Sequence, residues 1–316
     1  MEPGSESSIA LVFPGQGSQR AGMARDFHSQ FAAAREVFAE ASAAADVDLG
    51  SICFGDDGRL DLTEYTQPSI LTAEIAMLRV LEQEFGLRAG VLAGHSLGEY
   101  TALVAAGVMK VGDAAWLVRR RGALMQRAVP AGQGAMLAVV GSRLELGEIR
   151  DKLAGLEVDA ANHNSPSQIV ISGSATDVEA ARSRLEAKGR RLIPLKVSAP
   201  FHSRLMRGVE PEFAAELASV TLNVEPAPRV AANFTGGFHT AAAEEIRQNL
   251  VRQVSGTVRW VDNMRALQTR ASRVIEIGPG RPLSGFFRDI GVAAQAITDW
   301  KSAEKAFAEP SQEEPK

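Results

Sequence analysis

Ser96 stands in the run Gly94-His95-Ser96-Leu97-Gly98, a G-x-S-x-G spacing. A serine in that spacing can be an acyl nucleophile if the chain turns sharply there between a strand and a helix. The flanking positions must then be small, and the hydroxyl is lifted above the sheet. Backbone N–H groups at the start of the next helix lie ready to hold an oxyanion. The context fits: AGVLAGHS reads as a strand running into a turn, and LGEYTALVAAGV as a helix rich in small residues. Without that context, a chain with 29 glycines could carry the spacing by coincidence.

A serine nucleophile needs a base. The histidines are His28, His95, His163, His202 and His239. His28 falls on a predicted surface helix. His95 adjoins the serine, but neighbours in a sharp turn point apart, which makes packing its expected role. His163 falls at a predicted β-β turn, and His239 follows Gly236-Gly237 in a loop. His202, in Ala199-Pro200-Phe201-His202-Ser203, lies where the chain re-enters its larger unit, and such junctions favour clefts. His202 therefore leads as the base. No Asp is placed to orient it, so a Ser–His pair oriented by a backbone carbonyl is as workable as a full triad.

Two further runs bear on a ligand. Pro14-Gly15-Gln16-Gly17-Ser18-Gln19 is not a dinucleotide loop, because Arg20 stands where that fingerprint needs glycine. It reads as a turn whose N–H groups can approach a ligand closely, or as a plain turn. Arg119-Arg120-Arg121 lies on a predicted helix. Consecutive positions fan out by about 100°, so one or two of the three can face inward, and spacing alone does not say which.

The elements that must position these residues alternate strand and helix, which argues for a mostly parallel α/β sheet. IALVF (9–13) is a buried strand, 25–46 is helical, and a second helix is expected to start near Pro68. Between about 130 and 198 the rhythm changes to β-α-β-β-α-β, the ferredoxin-like order, ending in a strand over 190–197. The expected organisation is a catalytic α/β domain formed by 8–129 and 199–300, with an insert at 130–198 and a disordered tail at 309–316.

Composition narrows the function classes. The chain has 316 residues, 45% of them hydrophobic and 23% charged, with a net charge of −4. That charge is mild and of the wrong sign for nucleic acid. No apolar run is long enough for a membrane span, and the first eight residues lack a secretory signal. The only cysteine is Cys53, which suits a cytoplasmic location.

FPGQGSQ, GHSLGEY, the RG of RRRGALMQ, NSPSQIVISG, APFHS, VRQ and IEIGPG follow one another from Phe13 to about Leu283. In order and spacing they resemble the malonyl-CoA:acyl carrier protein transacylases and the related acyltransferase domains of polyketide synthases. The resemblance implies an α/β-hydrolase-like domain, with a parallel sheet, carrying a ferredoxin-like insert. It implies Ser96 as nucleophile, His202 as base, the N–H groups of Gln16 and Leu97 as the oxyanion hole, and Arg121 as the grip on the malonyl carboxylate. It gives Gln253 a supporting role, its backbone carbonyl orienting His202.

The partners it implies are malonyl-CoA and an acyl carrier protein, with no nucleic acid and no membrane. The coenzyme A thioester and the phosphopantetheine are then substrates, and neither a metal nor a cofactor is called for. Phe201, beside the base, is expected to disfavour an α-methyl substituent. Arg190, Arg191, Lys196, Arg204 and Arg207 cluster in sequence as a candidate carrier face. The alternatives are an editing hydrolase of the same fold, which an arginine for carboxylates would serve poorly, and a non-catalytic docking protein.

Overall fold

The computed structural model describes residues 8–308, apart from Asp57 and Ser198. The tail at 309–316 lies outside the described residues. Eight strands occur among them: β1 (Ile9–Phe13), β2 (Val91–Gly94), β3 (Gly134–Val140), β4 (Val158–Ser165), β5 (Gln168–Ser174), β6 (Arg191–Pro194), β7 (Arg273–Ile277) and β8 (Ala294–Ile297). They form two sheets. One is parallel, in the order β2-β1-β7-β8; the other is antiparallel, in the order β4-β5-β3-β6.

Helices cover both faces of the parallel sheet, so its strands are buried on both sides and read as unbroken apolar runs. Leu11, Phe13, Leu92, Ile275 and Ile277 enter one hydrophobic cluster, and Ala10, Val12, Val91, Ala93 and Val274 the other. The antiparallel sheet packs Leu137, Val139, Ile169 and Ile171 under its own helices, Leu146–Leu153 and Ala175–Leu185. Its other face turns Met136, Ala138 and Val170 toward the core of the parallel unit. No helix among the described residues is long and apolar enough to cross a membrane.

Three elements differ from expectation. The second long helix runs Thr63–Phe85, with Pro68 inside it rather than at its start. Proline removes the bond to the Glu64 carbonyl, but tertiary contacts keep the first turn helical. That turn lies against the helix Val111–Arg127, and Glu64 pairs with Arg119 at 3.0 Å. The run 25–46 is broken at Phe31 (φ −117°), whose ring instead packs on Trp300 with centroids 4.5 Å apart. The last strand of the 130–198 segment, β6, ends at Pro194, and one further bond, from the Leu195 N–H to the Met136 carbonyl at 3.0 Å, is its last to β3.

Gly122 sets how closely the two long helices approach. A Cβ there would lie 2.4 Å from the Thr63 carbonyl oxygen. In a free helix Gly122→Ala would gain about 1 kcal/mol of propensity. Here overpacking should outweigh that gain, giving a net loss of about 1–2 kcal/mol in urea unfolding at unchanged m-value. A more stable variant would mean that the helices can separate at no cost.

Candidate active site

The turn after β2 is as tight as the spacing demands. A Cβ on Gly94 would meet the Gly98 carbonyl oxygen at 1.8 Å, and one on Gly98 would meet that of Phe13 at 2.2 Å. Ser96, at the apex, has φ +52°, a left-handed conformation that costs a non-glycine residue about 1–3 kcal/mol. The helix Gly98–Ala106 starts immediately after it. The 14–17 loop lies alongside, with Gly15 so close that a Cβ would meet the His95 carbonyl oxygen at 2.4 Å. The N–H groups of Gln16 and Leu97 have no acceptor among the described residues, and both residues line the cavity above Ser96. The N–H of Ser96 itself is occupied, donating to Asn233 Oδ1 at 2.6 Å.

His202 is the histidine brought to the serine, with Nε2 2.7 Å from Ser96 Oγ. Its Nδ1 lies 2.8 Å from the backbone carbonyl oxygen of Gln253. A carbonyl can only accept, so the proton sits on Nδ1 and the Nε2 lone pair faces the hydroxyl. His202 is 4% exposed and also left-handed, at φ +58°. Burial, and then the Arg121 charge, pull its pKa down to about 3, while the Gln253 carbonyl opposes them. The imidazole is therefore neutral at pH 7.

Of the three arginines, Arg119 pairs with Glu64 and Arg120 with Glu216 at the surface. Arg121 turns inward and is 1% exposed. Its Nη1 donates to Gln67 Oε1 and its Nη2 to Gln253 Oε1, each at 2.8 Å. Nη2 also approaches Ser96 Oγ, at 3.5 Å. No carboxylate touches this guanidinium among the described residues. Ser96, His202, Arg121 and Phe201 all line one cavity of about 790 Å³ between the two sheets, a size suited to a small-molecule arm. Met136, Val170 and Leu195 form its far wall.

Beneath the elbow lies a buried polar network that sequence reading missed. Asn233 Nδ2 donates to the Gly94 carbonyl at 2.8 Å and to Asn263 Oδ1 at 3.2 Å. Glu99 Oε2 accepts from Gln253 Nε2 at 2.7 Å and from the Asn233 N–H at 3.0 Å. Glu99 Oε1 faces His239 Nε2 at 2.8 Å. His239 does lie in the loop after Gly236-Gly237, but it is buried there as a partner of Glu99. Glu99 and Gln67 sit at helical positions that read as ordinary polar residues. Asn233 and His239 follow no periodicity that would mark them as buried.

The remaining histidines stand away from the hydroxyl. His95 Nε2 bonds Asn164 Oδ1 at 2.7 Å, and Asn164 Nδ2 reaches Gln168 Oε1 at 2.8 Å, tying the elbow to the second sheet. Burial pulls the His95 pKa down to about 4. His28 is wedged against the rings of Phe38 and Phe54 instead of lying free on the surface. His163 lies within β4 instead of in the turn. The basic cluster is partly engaged: Arg190 pairs with Glu148 and Arg204 with Asp159, each at 2.7 Å. Lys196 lines the cavity.

The family profile of the acyl transferase domain matches residues 10–282. The chain is 40% identical over 309 residues to the malonyl CoA-acyl carrier protein transacylase of Bacillus subtilis, covering 95% of this chain and 96% of that one. It is 40% identical over 289 residues to the transacylase of the same name from Escherichia coli K12, covering 90% and 93%. The crystal structure of malonyl-CoA:acyl carrier protein transacylase (FabD) from Xanthomonas oryzae superposes with a TM-score of 0.90 at 42% identity, covering 96% and 98%. A type II PKS acyl-carrier protein in complex with its malonyl-transacylase contains a chain matched with a TM-score of 0.89 at 38% identity, covering 95% and 99%. At such identity over nearly the full length of both chains, this protein belongs to the acyl transferase domain family and, within it, to the malonyl CoA-acyl carrier protein transacylases.

Proposed function

We propose that the protein transfers malonyl from malonyl-CoA, through an ester on Ser96, to the phosphopantetheine thiol of an acyl carrier protein, supplying extender units for fatty-acid or polyketide synthesis. The observation that carries this reading is one hydroxyl, Ser96 Oγ, set 2.7 Å from a neutral imidazole and 3.5 Å from a buried guanidinium. His202 Nε2 takes the hydroxyl proton as Oγ attacks the thioester carbonyl. The oxyanion is held by the N–H groups of Gln16 and Leu97. The intermediate then collapses, the C–S bond breaks and coenzyme A leaves with the proton from His202. In the second half-reaction the carrier thiol gives its proton to His202, attacks the malonyl-serine ester and returns the serine hydroxyl.

Arg121 binds the malonyl carboxylate, and Gln253 supports both it and His202. Phe201, on the cavity wall, disfavours an α-methyl group. In this reading the reaction runs with no metal and no resident cofactor, coenzyme A thioester and phosphopantetheine being substrates, and it goes with a cytoplasmic location. The chain divides into an α/β-hydrolase-like catalytic domain (8–129 and 199–300) and a ferredoxin-like insert (130–198). The βαββαβ order and the strand sequence β4-β5-β3-β6 support that division.

Incubation with malonyl-CoA followed by intact-mass measurement should show one malonyl adduct on the wild type and none on Ser96→Ala. A stoichiometric adduct on that variant would remove Ser96 from the mechanism. With a holo carrier protein present, the product should be carrier-bound malonyl. Free malonate as the main product would make the protein a hydrolase.

Arg121→Ala should lower kcat/KM for malonyl-CoA by about 30-fold or more, the cost of truncating one partner of a desolvated charge pair. Transfer of acetyl should be kept or raised, because the uncharged acyl group gives Arg121 no partner. Equal losses for both thioesters would assign the carboxylate to another residue.

The pH dependence follows from the sign of the His202 shift. The base is lost only as pH falls through its lowered pKa of about 3. Wild-type kcat/KM should thus show no acid limb near the ordinary histidine range of about 6.5. Removing the Arg121 charge raises the His202 pKa, so the acid limb of acetyl transfer should lie at higher pH in Arg121→Ala than in the wild type. Coincident limbs would show that the Arg121 field does not reach the base.

A further inference from the structure

Arg121 is a buried cation whose hydrogen-bond partners are neutral oxygens and whose guanidinium lies over the Tyr100 ring, 5.4 Å from its centroid. Its amide partners, Gln67 and Gln253, hold Nη1 and Nη2 at 2.8 Å each. The nearest anion in the bonded network is Glu99, which is 1% exposed and one residue behind: Gln253 Oε1 accepts from Arg121, and Gln253 Nε2 donates to Glu99 Oε2 at 2.7 Å. The direction of the Gln253 amide follows from this. Turned over, it would set its NH2 against the guanidinium and its oxygen against the Glu99 carboxylate, mismatching both ends.

Glu99 is itself held by donors on both oxygens, from His239 Nε2 on one side and the Asn233 N–H on the other. A carboxylate in direct contact with Arg121 would neutralise it and compete with a substrate. Set one amide further away, Glu99 offsets part of the cost of burying the cation while leaving the edge near Ser96 Oγ open. Burial lowers the pKa of Arg121, and Tyr100 and Glu99 act against that.

We propose that Glu99 is a positioning residue for acyl-group selection: acting through the Gln253 amide, it holds Arg121 aimed at the carboxylate of the acyl chain and serves as its remote counter-charge. The inference rests on the reading of Arg121 as the carboxylate grip. It concerns the ratio of malonyl to acetyl transfer, which a purely structural role for Glu99 would leave unchanged.

The test measures kcat/KM for malonyl-CoA and acetyl-CoA in Glu99→Ala, Glu99→Gln, Arg121→Ala and the Glu99→Ala/Arg121→Ala double variant, each checked for native circular dichroism. Glu99→Ala should lower the malonyl-to-acetyl ratio about tenfold, the scale of coupling between residues in one network. Glu99→Gln keeps an acceptor for Gln253 but not the charge, and should lower the ratio about threefold. The double variant should show the same ratio as Arg121→Ala, because Glu99 acts through Arg121. Equal losses for both thioesters in a folded Glu99→Ala, or a further fall of the ratio in the double variant, would overturn the proposal. If Glu99→Ala does not fold, Glu99→Gln decides, and an unchanged ratio there overturns it. If Arg121→Ala itself loses both thioesters equally, the reading of Arg121 fails first, and that outcome is distinct from failure at Glu99 alone.

Discussion

A guanidinium buried beside the Ser96 hydroxyl, with no carboxylate against it among the described residues, is the constraint around which the site is built. An unpaired charge in a protein interior is costly, and the usual remedy is a direct ion pair. Here such a pair would occupy the atoms proposed to receive an acyl carboxylate. The chain meets the cost with amide oxygens from two distant helices, Thr63–Phe85 and Ala243–Gln253, and with the remote carboxylate of Glu99. The close approach at Gly122 belongs to the same solution, since it brings the helix bearing Arg121 against the helix bearing Gln67.

Backbone strain is the second demand on this region. Ser96 and His202, the two residues proposed to exchange the proton, are both non-glycine residues with positive φ. Such conformations persist when surrounding contacts over-determine them. Asn233 does this at the elbow, taking the Ser96 N–H with its oxygen and giving its NH2 to Gly94 on the other side of the turn. Gln253 does it for the whole site. Its backbone carbonyl orients His202, while its side chain holds Arg121, the Ser96 carbonyl and Glu99. Gln253 thereby couples the position of His202, the proposed base, to that of Arg121, the proposed carboxylate grip.

What the sequence disclosed, and what it hid, follows the range of the interactions. The elbow is local: strand, small residue, serine, small residue and helix lie within about a dozen positions, and steric need alone dictates the glycines. The β-α-β-β-α-β rhythm was legible for the same reason. Choosing Arg121 over Arg119 and Arg120 was not, because tertiary contacts to Glu64 and Glu216 decide which way each side chain turns. Asn233 and His239 stayed hidden because their partners at Ser96 and Glu99 lie well over one hundred residues away. Pro68 and Phe31 misled for a related reason, since helix continuation at one and interruption at the other are settled by neighbours distant in the chain.

The low pKa of His202 runs against its proposed work as a base, since a weak base takes a proton reluctantly. The resolution lies in the order of its causes, burial first and the Arg121 charge second. In the proposed mechanism, a malonyl carboxylate paired with Arg121 would offset the second cause, and the basicity of His202 would rise once the substrate is in place. An acetyl group would leave the guanidinium unpaired and the imidazole weak. On the proposed roles of Arg121 and His202, recognition of the carboxylate would then enter the chemical step as well as binding. A site that discriminates in this way gains in kcat, where interactions specific to the correct substrate act on the barrier rather than on affinity alone.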